Sequence, residues 1–308
     1  MTAAVDDGGA GATGRTRRER ATRRRVPWAV VPFAAVAVAF LGLPVAGLVR
    51  EVTWAQLPQL LTSPEALAAL RLSLVCSLSA AGLSVVLGVP LAWVLAQGSG
   101  PLVALLRGLV TLPLVLPPVV GGLALLLTFG RRGIVGAPLE EWFGVSLPFT
   151  TAGVVVAETF VAMPFLVVTL EGAFRSADAG LEEAAATLGA SRLVALRTVT
   201  LPLLLPSLGA GAVLAWARAL GEFGATITFA GNLPGTTQTL PLLVYSQLES
   251  GDVPGAVALS LVLVAVALAV LVLLRDRWLR PGGSRATTLD GAGGGPALGA
   301  PFQRAAGL

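Results

Sequence analysis

Long apolar stretches separated by polar, arginine-bearing segments restrict the folding of this chain more than any other sequence feature. Each stretch is long enough to cross the hydrocarbon core of a bilayer as a helix. Because 55% of the residues are hydrophobic and only 12% are charged, the chain is far too apolar for a soluble globular protein. We predict an all-α polytopic membrane protein with six transmembrane helices, at about residues 26–49, 66–96, 108–129, 149–174, 203–230 and 253–274.

The basic residues indicate how these helices are oriented. All 21 are arginine, and sixteen of them fall in segments that this layout places on one side of the membrane. Since arginines are enriched in cytoplasmic segments, both termini are predicted to be cytoplasmic, in a multi-pass protein of the bacterial cell membrane. Arg131 and Arg132 depart from this rule, because they lie in a predicted outer loop.

Two polar tails flank the apolar region. The arginine-rich tail at 1–25 and the glycine-rich tail at 281–308 contain little that can be buried, so both are expected to be disordered in the cytoplasm. They leave residues 26–280 as a single transmembrane domain.

Residue types that the sequence lacks narrow the possible functions. It contains no lysine to complete a phosphate-binding loop, and no histidine for a His-based metal site or a Ser-His-Asp triad. The single cysteine, Cys76, lies in an apolar span and is expected to pack there. We therefore expect no catalytic residue, no metal and no cofactor bound by this chain. Nucleic-acid binding is also disfavoured, because the arginines lie beside membrane spans.

One strongly polar segment interrupts the apolar sequence, from Glu182 to Pro202, with the sequence EEAAATLGASRLVALRTVTLP. Its charges are costly in hydrocarbon, whereas its alanines and leucines recur at helical spacing. We predict two short cytoplasmic helices separated at Gly189, where a positive φ would end the first helix, with Ser191 capping the second. A random amphipathic connector is the alternative interpretation.

This segment resembles the EAA loop of ABC importer permeases in its spacing: Glu183-Ala184-Ala185, three residues, Gly189, nine residues, then Val199-x-Leu201-Pro202. Three further blocks resemble the oxyanion branch of these permeases, which includes molybdate, tungstate and sulfate systems. They are LPLVLPPVVGGLALLLTFGRRGIVG from Leu112, ARALGEFGATITFAGN from Ala217 and PGTTQTLPLLVYSQLESGD from Pro234. The sequence at 220–224 is shared with sulfate permeases, whereas 225–226 and 237–241 are more similar to molybdate permeases.

The resemblance implies a type I ABC importer permease fold with a cytoplasmic coupling helix. Coupling to a separate ATPase would involve Glu182, Glu183, Ala184, Ala185 and Gly189. The implied partners are a second copy of the chain, two cytoplasmic ABC ATPase subunits that use ATP and Mg²⁺, an extracytoplasmic oxyanion-binding protein, and membrane lipid.

The expected function is therefore ATP-driven import of a tetrahedral oxyanion, molybdate or tungstate, by alternating access, with hydrolysis performed by the partner chain. A sulfate or thiosulfate permease is the first alternative. An ion-coupled secondary transporter is less favoured, because it would show two related halves and would leave the EAA segment unexplained. An intramembrane enzyme would need a nucleophile and a base, which a chain without lysine or an intramembrane aspartate does not offer.

The fifth predicted span carries two groups of candidate functional residues. Gly211, Ala215 and Ala219 recur every four residues and form a small face, suited to packing against another helix in the same subunit or across the dimer. Arg218 and Glu222 are also four residues apart, which predicts an ion pair within the membrane. We favour a structural pair over direct contact with an anion, since a carboxylate beside an oxyanion would repel it.

The third predicted span begins with a proline-rich stretch. Prolines leave helix carbonyls without donors, so this stretch is expected to lie between helices or beside a water-filled path. Pro117, Pro118 and Gly121 are candidates for lining such a path, and a structural kink is the equally favoured alternative.

Overall fold

A computed structural model describes residues 28–177 and 179–278 of the chain. The two tails for which disorder is predicted, 1–25 and 281–308, lie outside the described residues. The described chain divides into two compact units at Val52.

The described part of the first unit is a single apolar helix. One 3-10 turn, Trp28–Val30, leads into α1, Val31–Arg50, with a proline near its start. Together they form 23 residues with a mean hydropathy of 2.3, enough to cross a bilayer. The first predicted span is thus confirmed.

The second unit is entirely helical in its described part. Its long helices are α3, Pro64–Gln97, α7, Thr151–Ser176, α10, Leu201–Leu220, and α13, Val253–Trp278. The shorter helices are α2 (Leu57–Leu61), α4 (Pro101–Val115), α5 (Pro118–Phe129), α6 (Gly136–Phe143), α8 (Ala179–Thr187), α9 (Arg192–Ala195), α11 (Gly224–Phe229) and α12 (Leu240–Ser250).

The core of this unit lies where α3, α7 and α10 pack against one another. Small side chains meet there, including Ala80, Ala162, Ala215 and Ala219, each fully buried around the larger Leu166. In a membrane, helices associate by such close packing because lipid tails and side chains are equally apolar. Many large apolar side chains point outward instead, as expected of a surface that contacts lipid.

One end of the helix bundle contains the turn at Gly189, and we call it the Gly189 end. Near it, the Arg107 guanidinium donates to the Leu95 carbonyl at the end of α3, over 3.3 Å. The same guanidinium pairs with Glu171 near the end of α7, at 2.7 Å. The carboxyl-terminal ends of α3 and α7 therefore lie side by side.

The opposite end of the bundle contains the loop around Thr236, and we call it the Thr236 end. Here the Leu240 N–H donates to Ser73 Oγ in α3 over 2.6 Å, and the Thr151 hydroxyl at the start of α7 donates to the Thr236 carbonyl over 2.9 Å. Both helices therefore run from the Thr236 end to the Gly189 end, and the chain must cross back once between them.

That crossing is made by a broken pair of helices, α4 and α5, whose axes bend by 119°. The span predicted at 108–129 is therefore interrupted within its proline-rich stretch, where a structural kink was one of the two alternatives, and its first helix begins earlier, at Pro101. The reason lies at Leu116 and Pro117, which are both extended, because a residue before proline avoids helical conformation and Pro117 and Pro118 supply no N–H. Pro118 instead takes the first position of α5, where a helix needs no donor.

The fifth span also differs from its prediction at both ends. It was expected at 203–230, but its helix stops at Leu220, and a separate short helix, α11, follows after three residues. At the other end, the helical conformation begins at Arg192 and continues through a π-helical turn, Leu196–Thr200, into α10. The wide turn ends two residues before Pro202, which has no N–H to donate to the turn before it.

The described residues thus contain five helices that are long and apolar enough to cross a membrane, and six spans if the broken pair is counted as one. The number of spans agrees with the prediction, and four of the six lie within a few residues of their expected positions.

Candidate functional site

The polar segment predicted around Gly189 forms a sharp turn at the end of α8. Gly189 has φ of +86°, the left-handed conformation that glycine adopts without strain. The Ala190 N–H donates to the Ala185 carbonyl and the Gly189 N–H to the Ala186 carbonyl, both over 3.0 Å, so the last carbonyls of α8 are satisfied. Ser191 Oγ then accepts from the Val194 N–H over 3.4 Å, at the start of α9.

The structure corrects one part of this prediction. The second helix is not a separate short helix, because α9 continues through the π-helical turn into the long α10. A force applied at the Gly189 turn therefore acts directly on the end of a membrane span. The backbone of Glu182 and Glu183 lies within α8, Ala184 is exposed and Ala185 is half-buried.

The Gly189 turn presents apolar side chains outward. Leu188 is 88% exposed, and Leu181, Leu193 and Val194 are exposed on either side of it. Exposed apolar side chains grouped on a segment that also carries charges mark an interaction surface, for a protein or for a membrane.

The intramembrane charges lie in contact. The Arg218 guanidinium is 2.6 Å from a Glu222 oxygen, and Glu222 is 1% exposed. The pair is not formed along one helix as predicted, because α10 ends at Leu220 and Glu222 lies in the break before α11. The other Glu222 oxygen accepts from the Ala225 N–H over 2.8 Å, so the carboxylate also caps α11.

The small face of α10 packs inside the chain. Ala215 and Ala219 are fully buried in the core with α7, and a Cβ built at Gly211 would lie 3.3 Å from Leu166 and 3.4 Å from Thr169. Of the two contacts considered for these residues, the structure shows the one within the subunit.

The proline-rich candidates occupy different surroundings. Pro117 and Pro118 are exposed, and Pro118 packs on Gly224, where an added Cβ would come within 2.7 Å of the proline ring. Gly121 is buried, and a Cβ there would lie 3.1 Å from the Phe160 ring. The break between α4 and α5 therefore rests directly beside the break that holds Glu222.

Sequence reasoning missed a second charged cluster, at the Gly189 end. Glu171 is paired with Arg107 on α4, at 2.7 Å, and with Arg175 on its own helix, at 3.1 Å. The predicted spans at 66–96 and 108–129 leave Arg107 in the connection between them, but Arg107 lies within α4. The spacing of Glu171 and Arg175, four residues apart in the last turns of a span, was the available signal.

A further carboxyl group, Glu158, lies in the middle of the core. It is 1% exposed, and its Oε2 atom has no hydrogen-bond partner among the described residues. Cys76 is fully buried nearby, as its apolar surroundings predicted. No group of three or more metal-ligating side chains occurs in the part of the chain that the structure describes.

Comparison with known proteins places these features in a family. Residues 84–282 match the family model for the inner membrane component of binding-protein-dependent transport systems. The molybdenum transport system permease protein ModB of Mycobacterium tuberculosis is 51% identical over 235 residues, covering 76% of this chain and 88% of that protein. The sulfate transport system permease protein CysT of Salmonella typhimurium is 37% identical over 223 residues, covering 71% of this chain and 80% of that protein.

The fold is also similar to that of a solved transporter. A chain of a bacterial alginate ABC transporter, crystallised with a periplasmic protein that holds an alginate pentasaccharide, matches with a TM-score of 0.62 and 19% identity. The match covers 82% of this chain and 93% of the other. The matched family region includes the Gly189 turn, the charge pair and both broken helices, and the chain belongs to the family of inner membrane components of binding-protein-dependent transport systems.

Proposed function

We propose that this chain is the permease subunit of an ATP-driven importer for a tetrahedral oxyanion, molybdate or tungstate. The observation that carries the substrate class is the 51% identity to a molybdenum transport permease, over a region that includes every candidate site residue. The chain forms the path through the membrane and catalyses no reaction itself. ATP and Mg²⁺ are used by a separate ATPase.

The coupling element in this proposal is the Gly189 turn. Glu182, Glu183, Ala184 and Ala185 on α8, together with Gly189, contact the ATPase subunit on the cytoplasmic side. Because the helix after the turn continues into α10, closure of two ATPase subunits pulls on a membrane span without an intervening loop. Two copies of the chain, one for each ATPase subunit, form the path between them.

The structural role of Arg218 and Glu222 is to hold the junction of α10 and α11. A buried ion pair with an additional backbone hydrogen bond is satisfied within the chain, so neither group needs an anion to balance it. Pro117 and Pro118, exposed at the neighbouring break, remain our candidates for the path of the anion. Weak binding of the anion along this path suffices, because a site that binds it tightly would trap it.

Sulfate or thiosulfate import is the second candidate function. It is supported by the 37% identity to a sulfate permease over a comparable region. The two functions differ in the anion and share the same architecture.

The proposal is tested by reconstituting the chain in lipid vesicles with its ATPase and its solute-binding protein. We expect uptake of molybdate that requires ATP and all three proteins, with sulfate taken up at least about ten-fold more slowly. Vesicles that lack the binding protein serve as the control. Sulfate uptake at the higher rate would favour the second candidate, and uptake by this chain alone under an ion gradient would refute the importer.

A further inference from the structure

An open pocket at the Thr236 end of the bundle plays no part in the import cycle described above. It has a volume of about 510 Å³ and lies between the end of α5, with the turn that follows it, and the residues just before α7. Its lining combines an apolar wall with two guanidinium groups and the backbone of two glycines; the side chains are Leu126, Leu127, Pro148, Phe149, Arg131 and Arg132.

The positive charges of the two arginines in this pocket are only partly balanced by carboxylates of the chain itself. Arg131 is 72% exposed, 3.3 Å from Ser146 Oγ and 3.6 Å from a Glu140 oxygen. Arg132 is exposed, and the structure shows no ion pair for it within the described ranges. In the proposed orientation both arginines lie on the extracytoplasmic side, whereas arginines that orient a membrane protein are enriched on the cytoplasmic side. A role in orienting the chain therefore does not explain their position.

The loop that carries the arginines is tightly folded. The Gly133 N–H donates to the Gly130 carbonyl over 2.7 Å, and a Cβ added at Gly136 would collide with the backbone of Phe129 and Gly130. Phe149, which also lines the pocket, has a backbone φ of +60°, a conformation that residues other than glycine rarely adopt. Strain of this kind is concentrated at functional sites, where the surrounding structure holds it in place.

We propose that this pocket is a docking socket for the solute-binding protein of the importer, and that it receives a carboxylate carried on an apolar part of that protein's surface. The inference rests on the proposed function. Charge complementarity at Arg132 favours this occupant, because Arg132 has no ion-pair partner among the described residues, whereas Arg131 is already paired with Glu140. Ile134 on the same loop and Trp142 on the adjoining helix α6, 86% and 73% exposed, add the apolar and aromatic area that is typical of interface centres.

A free oxyanion fits the same pocket less well. Apart from the two guanidinium groups its side-chain lining is apolar, so few hydrogen bonds would replace those of a hydrated dianion, whereas a carboxylate on an apolar surface also gains contact with the apolar wall. A rigid pocket instead lowers the ordering cost for a protein partner.

The test uses the complete permease–ATPase complex in lipid nanodiscs and the cognate solute-binding protein, fluorescently labelled and loaded with molybdate. We expect Arg132→Ala to weaken binding by roughly five- to thirty-fold, to reduce the salt dependence of binding, and to lower the ATPase activity that the binding protein stimulates. Basal ATPase activity should stay unchanged. Arg71→Ala is the matched control, because Arg71 is an exposed arginine on α3 outside the pocket.

The outcomes separate this inference from the function on which it rests. If the wild-type complex is stimulated and Arg132→Ala behaves like Arg71→Ala in binding and stimulation, the socket is refuted while the importer stands. If Arg132→Ala keeps its affinity for the binding protein but loses molybdate uptake, the pocket captures the anion, and the protein-docking role is refuted. If the wild-type complex neither binds nor responds to the binding protein, the proposed function fails and the socket with it.

Discussion

At the scale of single residues, Glu222 is the most constrained side chain of the candidate site. One of its oxygens contacts Arg218 and the other accepts from the first turn of α11, while the whole side chain is buried. Removing Arg218 therefore leaves a buried carboxylate without a counter-ion, and this lowers the stability of the fold more than removing both charges does. The pair is consequently expected to fix the end of α10 relative to α11.

This expectation gives a double-mutant prediction. Arg218→Ala should destabilise the purified chain by about 3–5 kcal/mol, measured as a lower thermal unfolding midpoint. Adding Glu222→Ala should restore stability in part, and adding Glu222→Gln should restore more, because the amide oxygen still accepts from Ala225. If Arg218 attracts the anion instead, these double mutants should be folded but inactive in vesicle uptake. Full stability and full uptake of Arg218→Ala would contradict both interpretations.

Residue-scale prediction from sequence succeeded where partners are close in the chain. The contact between Arg218 and Glu222 spans four residues, so helical spacing anticipated it even though the helix ends between them. The contact between Arg107 and Glu171 spans 64 residues and depends on how α4 packs on α7, which no local pattern encodes. Gly189 was predictable because its left-handed conformation is a local requirement.

At the scale of helices, the turn at Gly189 controls how α8 meets the span that follows. No atom lies within 4 Å of a Cβ built at Gly189, so a substitution there acts through backbone conformation alone. Gly189→Ala should cost about 1–2 kcal/mol locally, and Gly189→Pro should do more, because it also removes the N–H that donates to Ala186.

We expect Gly189→Pro to uncouple the transporter. Uptake and permease-stimulated ATPase activity should both be lost, while the thermal midpoint of the membrane domain changes little. Gly172→Ala is the control, since Gly172 also has no neighbour within 4 Å but lies in the ordinary helix α7. Unchanged stimulation and uptake in Gly189→Pro would show that this turn is not the coupling element.

The packing of α10 on α7 gives a second helix-scale prediction. Ala215 is fully buried, so Ala215→Leu must push the two helices apart and should lower stability by roughly 1–3 kcal/mol, with less folded protein recovered. Ala217→Leu is the matched control, because Ala217 borders a cavity of about 330 Å³ that can accept the larger side chain. The measurements are the yield by size-exclusion chromatography and the unfolding midpoint. Equal behaviour of the two variants would contradict the packing described here.

Helix-scale prediction failed at the breaks. Hydropathy identifies apolar length, and residues 108–129 and 203–230 are mostly apolar, so each was assigned as one span. The break at Pro117 and the end of α10 at Leu220 depend on neighbours that satisfy the exposed backbone, such as the Glu222 carboxylate that accepts from Ala225. Such neighbours come from tertiary structure.

At the scale of the whole molecule, the number of crossings followed from the sequence, because bilayer thickness sets the length of each apolar stretch. The sidedness of the loops was inferred from arginine alone, with Arg131 and Arg132 as exceptions. The structure adds that Leu188 and Ile134 lie at opposite ends of α7, since the two loops that contain them flank that helix. Their placement relative to the membrane can therefore be tested directly.

Cysteine labelling tests this sidedness. Cys76 is the only cysteine and is fully buried, so Cys76→Ala gives a background without reactive thiols. Leu188→Cys and Ile134→Cys can then be added separately, at positions that are 88% and 86% exposed. A membrane-impermeant maleimide should label Ile134→Cys in intact spheroplasts and Leu188→Cys only after permeabilisation, because arginine-rich segments stay inside. Labelling of both in intact spheroplasts would show that α7 does not cross the membrane, and the reverse pattern would show an inverted protein whose Gly189 turn cannot reach a cytoplasmic ATPase.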